Sequence, residues 1–144
     1  MKTINSYTVP HHMSIKESLK NLDQGGIGFL AIVDNKNNVV GIITDGDFRR
    51  AVLNGIDFND SVLKIVNKDF KYLLHDYKQR DVELIFRNSK VRHIPVLKNN
   101  QLHDVIQKIS YRKETEILNI RKLNNPVVIM AGGRGTRLEP LTKI

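Results

Sequence analysis

The apolar positions of this chain change period several times, and each change marks an element. Residues 4–10 (INSYTVP) read as a short strand or extended arm. Ser14 and Glu17 then form a capping box ahead of Ile15, Leu19 and Leu22, which share one helical face. Gly25-Gly26 stops that helix. Gly28–Asp34 (GFLAIVD) is a continuous apolar run suited to a buried strand, and Asn35–Asn38 is a hairpin turn into Val39–Thr44. A short helical pattern follows, with Phe48, Val52 and Leu53 on one side, Arg49 and Arg50 on the other, and Gly55 at its end.

The second half repeats this order. Tyr72-Leu73-Leu74 stands near the arm, and Asp81 can cap a helix whose inward face is Val82, Ile85 and Phe86. His93–Leu97 is the next strand, Asn99-Asn100 a tight turn, Leu102–Ile109 the returning partner, and Lys113–Leu123 a closing helix. The repeat has a period of a little over 60 residues, the mark of a duplicated unit. One half alone leaves a sheet face uncovered, so the two halves are expected to pack sheet to sheet around a pseudo-twofold axis.

The junction at Thr44 and Asp47 is the candidate for chemistry. A buried strand delivers a hydroxyl and a carboxylate to the start of a helix, whose free N–H groups and positive dipole end favour anions. Such a corner can serve both the hydroxyls of a ribose and a phosphate. A plainer role is open too: Asp47 as the N-cap of its helix, worth about 1 kcal/mol, with Thr44 merely ending the strand. Gly41, Ile42, Ile43, Thr44 and Asp47 together resemble the G-h-h-T-x-x-D signature of CBS domains (h apolar), and the tandem strand–helix–strand–strand–helix plan over roughly residues 1–118 matches a CBS pair.

The resemblance implies an α/β (α+β) fold of two CBS repeats, residues 1–60 and 61–118. It implies that Thr44 and Asp47 hold the ribose of an adenosine nucleotide (AMP, ADP or ATP). In such pairs the pocket also receives the strand start of the other repeat. Here that is Val91-Arg92-His93-Ile94-Pro95-Val96, similar to the basic-x-h-P-V segments that face nucleotide phosphates; Arg92 offers a bidentate fork and His93 a ring N–H. Aligned on the hairpins, Ile106 stands for Thr44, Ile109 for Asp47 and His103 for Gly41, so the second signature is expected to be lost. The reciprocal Gly28-Phe29 supplies no cation. One working site is the expectation.

Composition narrows the classes. The 144 residues, 40% apolar and 26% charged, suit one ordinary domain or two small ones sharing a core. No apolar run approaches a membrane span, and MKTINSY lacks the apolar core of a signal peptide, so a cytoplasmic location is expected. No cysteine is present, which removes disulfides and thiolate metal sites, and the adjacent His11-His12 turn their rings apart, so no metal is expected. The net charge of +8 suits an anionic partner. Because the basic residues are scattered and there is no Trp, the pattern weighs against nucleic acid and towards a phosphorylated small molecule.

The last 19 residues change character. Pro126–Met130 is a strand pattern that runs into Gly132, Gly133, Gly135, Thr136 and Arg137, where glycines let backbone N–H groups approach a polyphosphate and Arg137 can neutralise it. The run AGGRGTRLEPLT resembles the opening of sugar-phosphate nucleotidyltransferases, which join a nucleoside triphosphate to a sugar 1-phosphate with Mg²⁺ and release pyrophosphate. That resemblance implies that residues 119–144 are a linker helix and the first strand and loop of such a domain, its metal-binding carboxylates and pockets lying beyond Ile144. The expectation is a regulatory nucleotide-binding pair, a homodimer through the flanking helices whose amphipathic faces carry Phe48, Val52, Ile85 and Phe86, with no catalytic residue in these 144 and Mg²⁺ required only by a full-length transferase. Two alternatives remain: a ligand-free dimerisation or interaction module, and a basic nucleic-acid-binding domain.

Overall fold

The computed structural model describes residues 4–112. The expected closing helix Lys113–Leu123 and the Gly-rich run from Gly132 to Arg137 lie outside them. A 3-10 turn at Ile4–Tyr7 leads into β1 (Thr8–Pro10), followed by α1 (Ile15–Gly25), β2 (Phe29–Val33), β3 (Val39–Thr44) and α2 (Asp45–Leu53). The second unit is β4 (Leu73–Leu74), α3 (Gln79–Asn88), β5 (His93–Lys98) and β6 (Gln101–Gln107), and residues 108–112 are again helical. The expected α/β class is therefore observed as two three-stranded sheets, β1-β2-β3 and β4-β5-β6, each with one parallel and one antiparallel pair.

Burial follows from the strand period. All five residues of β2 are buried, because both faces of this central strand are covered. Leu30 and Ile32 point to one face and pack with Val9, Ile15, Leu22, Ile43 and Phe48, so α1 and α2 cover the outside of the first sheet. Phe29, Ala31 and Ile42 point the other way and join Leu97 and Leu102 of the second sheet. This shared layer carries the sheet-to-sheet packing. A third cluster, Val82, Phe86 and Ile94, seats α3 on the second sheet.

Local chemistry fixes the element ends. Ser14 Oγ accepts from the Glu17 N–H at 3.3 Å, and the Glu17 carboxylate accepts from the Ser14 hydroxyl at 2.7 Å and the Ser14 N–H at 3.1 Å; the two bonds to the carboxylate hold its pKa below the ordinary value. In the first hairpin the Asp34 carboxylate accepts from the Lys36 and Asn38 N–H groups, each at 2.8 Å. Asn99 and Asn100 both adopt positive φ, 51° and 63°, as a two-residue primed turn requires. The two hairpins also meet: the Val39 N–H donates to the Asn100 carbonyl at 2.8 Å, tying one unit to the other.

Two expectations need correction. Asp81 is not the cap of α3 but its third residue, where its carboxylate accepts from the Lys78 N–H at 2.9 Å. Phe48 and Phe86, expected to help cover a dimer face, are 4% and 7% exposed because each fills the space between its helix and its own sheet.

Candidate functional site

Thr44 is the last residue of β3 and the N-cap of α2, so Asp47 falls at the third helical position rather than at the cap. The Asp47 carboxylate folds back on the cap: Oδ2 accepts from the Thr44 N–H at 2.8 Å and from the Thr44 hydroxyl at 2.7 Å. Its other oxygen, Oδ1, accepts from Nη2 of Arg50, one turn further along. Cap and candidate site are thus the same hydrogen-bonded group, and the two readings of Asp47 are not exclusive.

Gly41 of the same signature has a different task. A Cβ there would lie 2.5 Å from Val66 Cγ2 and 2.8 Å from the Asn67 carbonyl oxygen. The chain leaving the first unit passes directly over this residue and bridges Ile42, with N–H to O distances of 3.0 and 2.9 Å. Glycine is required by that crossing.

The second unit reaches this corner through His93. Phe29 pairs with Thr44 in the β2–β3 register, and the His93 ring packs on the Phe29 ring with centroids 5.6 Å apart. Burial depresses the His93 pKa below 6.5; a hydrogen bond with the Ile27 backbone and the Asp45 charge oppose this, and Arg92 reinforces it. Arg92 is exposed, with its carbonyl accepting from the Lys108 N–H at 2.9 Å. Asp45 sits against Gly28, where a Cβ would fall 2.2 Å from its Oδ2 and where φ is +68°. A cleft of about 260 Å³ opens beside them, lined by Leu19, Leu22, Asp23, Gly26, Gly28 and Asp45.

The sequence alignment of the second signature is off by one residue. In each sheet the returning strand carries a one-residue bulge near its start: Val39 pairs with Val33 and Gly41 with Ile32, while Leu102 pairs with Leu97 and Asp104 with Val96. His103 therefore matches Val40, and Asp104 matches Gly41. Gln107, opposite His93, matches Thr44 opposite Phe29, and Ser110 follows at the Asp47 position. Ile106 instead packs towards α3 and Ile109 is exposed. The second corner is polar but has no carboxylate, and the strand start facing it, Gly28-Phe29, has no cation. Sequence reasoning also missed Arg50; its signal was the three-residue spacing from Asp47.

Residues 1–54 match the family model of the CBS domain. A CBS-domain containing protein from Agrobacterium tumefaciens is similar in structure, with 26% identity and a TM-score of 0.67 over 75% of this chain and 82% of that one. The first unit matches the CBS domain, and the two units together have the fold of CBS-domain structures. A CBS domain pair solved with 5′-methylthioadenosine and S-adenosyl-L-methionine shares its fold at a TM-score of 0.69 and 20% identity, covering 78% of this chain and 89% of that one. The protein CBSX2, solved with AMP, shares it at 0.65 and 14%, covering 82% and 98%. An uncharacterized 17.7 kDa protein of Acidianus ambivalens is 35% identical over 98 residues, 68% of this chain and 59% of that protein. The chain thus spans under two thirds of that relative's length. Among the described residues no helix is long and apolar enough to cross a membrane, and no three His, Asp or Glu are placed to hold a metal ion.

Proposed function

We propose that this CBS pair binds one adenosine nucleotide per chain at the Thr44/Asp47 corner. The observation that carries the reading is how the hydrogen-bonding capacity of that corner is already committed. The Thr44 hydroxyl proton is given to Asp47, so Thr44 Oγ1 faces a ligand as an acceptor only. A carboxylate has about four acceptor positions. Three on Asp47 are filled by the Thr44 N–H, the Thr44 hydroxyl and Arg50. Two neighbouring acceptors therefore remain, and a ligand must bring two donors on adjacent atoms. A ribose diol does so; a phosphate, which has only acceptors at neutral pH, does not. The phosphate is assigned instead to Arg92 and His93, since the Asp23 and Asp45 carboxylates make the neighbouring cleft unsuited to an anion.

The presence of AMP, S-adenosyl-L-methionine and 5′-methylthioadenosine in structures of the same fold supports an adenosine-type ligand. We further read the pair as a regulatory module over residues 1–118, its ligand adjusting a sugar-phosphate nucleotidyltransferase whose Mg²⁺-dependent domain opens with Gly132, Gly133, Gly135, Thr136 and Arg137. Val52 and Leu53, 56% and 79% exposed on α2, support homodimerisation through that helix.

The test is a melting-shift screen of adenosine, AMP, ADP, ATP and GTP. Ligand at 100 times its dissociation constant adds about 2.7 kcal/mol of stability. Thr44→Ala removes one acceptor and should weaken an adenosine ligand about fivefold, roughly 1 kcal/mol. If no nucleoside or nucleotide shifts the melt, the reading fails and the pair is an interaction module.

A further inference from the structure

Asp47 poses an electrostatic problem that the diol argument leaves open. A carboxylate is a strong acceptor for sugar hydroxyls, yet it repels the phosphate that an adenosine nucleotide brings within several ångströms of that sugar. The Asp47 side chain is only 11% exposed, so water screens its charge poorly. The start of α2 adds a second carboxylate, Asp45, close enough to His93 to act on its titration.

Arg50 answers this. Its side chain is 67% exposed and, from an unconstrained surface position, could extend into water. Instead it folds back one turn to pair with Asp47 Oδ1. Its guanidinium lies over Gly46, where a Cβ would be 3.4 Å from Nη1 and 3.9 Å from Nη2. As an i,i+3 pair on α2 the contact adds little to the helix itself, so its larger consequence is for the charge of Asp47. The neighbouring Arg49, equally basic, is exposed and has no such pairing among the described residues.

We propose that Arg50 is a positioning residue of the nucleotide site: by pairing with Asp47 it fixes that carboxylate and cancels its charge, so that an acid can hold the sugar of an anionic ligand. This rests on the reading of Thr44 and Asp47 as the sugar site. It assigns Arg50 no contact with the ligand. Its effect is to separate recognition of the sugar from repulsion of the phosphate, and so to decide whether the site takes nucleotides or only nucleosides.

The test is titration calorimetry of the full chain with adenosine and with AMP, for the parent, Arg50→Gln, Arg50→Lys and Asp47→Asn, and for the Arg50→Gln/Asp47→Asn pair. Arg50→Gln should weaken AMP about threefold to tenfold and adenosine by twofold or less. Arg50→Lys should recover most of the AMP affinity because it restores the charge. In the Asp47→Asn background, where the charge that Arg50 cancels is gone, Arg50→Gln should change AMP binding by less than twofold. The AMP-specific loss should also shrink in high salt. Equal losses for adenosine and AMP would overturn the proposal in favour of a purely structural ion pair. An undiminished AMP-specific loss in the Asp47→Asn background would overturn it in favour of direct contact between Arg50 and phosphate. A parent protein that binds neither ligand would instead defeat the sugar-site reading, and this proposal with it. Far-ultraviolet circular dichroism and melting curves keep misfolding separate from all of these outcomes.

Discussion

Replacing Gly41 by alanine should damage the fold rather than the ligand site, although Gly41 opens the nucleotide signature. The added methyl would meet Val66 Cγ2 at 2.5 Å and the Asn67 carbonyl oxygen at 2.8 Å. Val66 can change rotamer, but the Asn67 carbonyl is held by its bridge to Ile42 at 3.0 Å and the reverse bond at 2.9 Å. Relieving the clash requires the 66–67 segment to retreat. Overpacking of this kind costs about 1–3 kcal/mol, and losing one bridge hydrogen bond about 0.5–1.5 more. The alanine also restricts the unfolded chain, which returns about 0.4–1 kcal/mol. The net loss is therefore about 0.5–4 kcal/mol, a melting temperature lower by roughly 2–16 °C for a chain of this size. Urea unfolding measures the loss, and hydrogen exchange at the Asn67 amide locates it. Unchanged stability and unchanged protection at Asn67 would refute the crossing argument, and a loss of nucleotide affinity alone would place Gly41 in the ligand site.

Two further outcomes follow from the same contacts. His93 is held below its unfolded pKa of about 6.5, so it contributes stability that is complete above that value and is lost as pH falls from 6.5 to its folded pKa; the melting temperature should drop between pH 7 and pH 5.5, and His93→Gln should flatten that drop. Light scattering should give a dimer that Leu53→Asp shifts towards monomer, whereas a strict monomer at high micromolar concentration would remove the dimer reading.

The elements written in local chemistry were legible. Ser14 with Glu17, the Asn99-Asn100 turn and the apolar runs of β2 and β5 each depend on residues a few positions apart, and each stands where the pattern put it. Register was not legible. Val40 and His103 are the extra residues of two bulges, and nothing in either side chain marks it as such. Slipping the second signature by one residue put Ile106 and Ile109 where Gln107 and Ser110 belong, and since strand faces alternate, it also reversed the face. Amphipathic spacing showed that Phe48 and Phe86 seek burial but not against what; both are spent on their own sheets. In the site, Thr44 and Asp47 were readable as a pair, while the fold-back of Arg50 and the approach of His93 to Phe29 depend on reach and tertiary packing that spacing does not encode.

The central claim is that Thr44 and Asp47 present two acceptors to a ribose diol. Titration calorimetry of the purified chain with AMP and with 2′-deoxy-AMP tests it most directly, because the two ligands share base and phosphate and differ by one donor. The account predicts one AMP per chain and binding of the deoxy ligand about tenfold weaker, roughly 1.5 kcal/mol for one lost hydrogen bond to a charged acceptor, with Asp47→Ala bringing the two affinities together. Equal affinities for AMP and 2′-deoxy-AMP in the parent protein would contradict it.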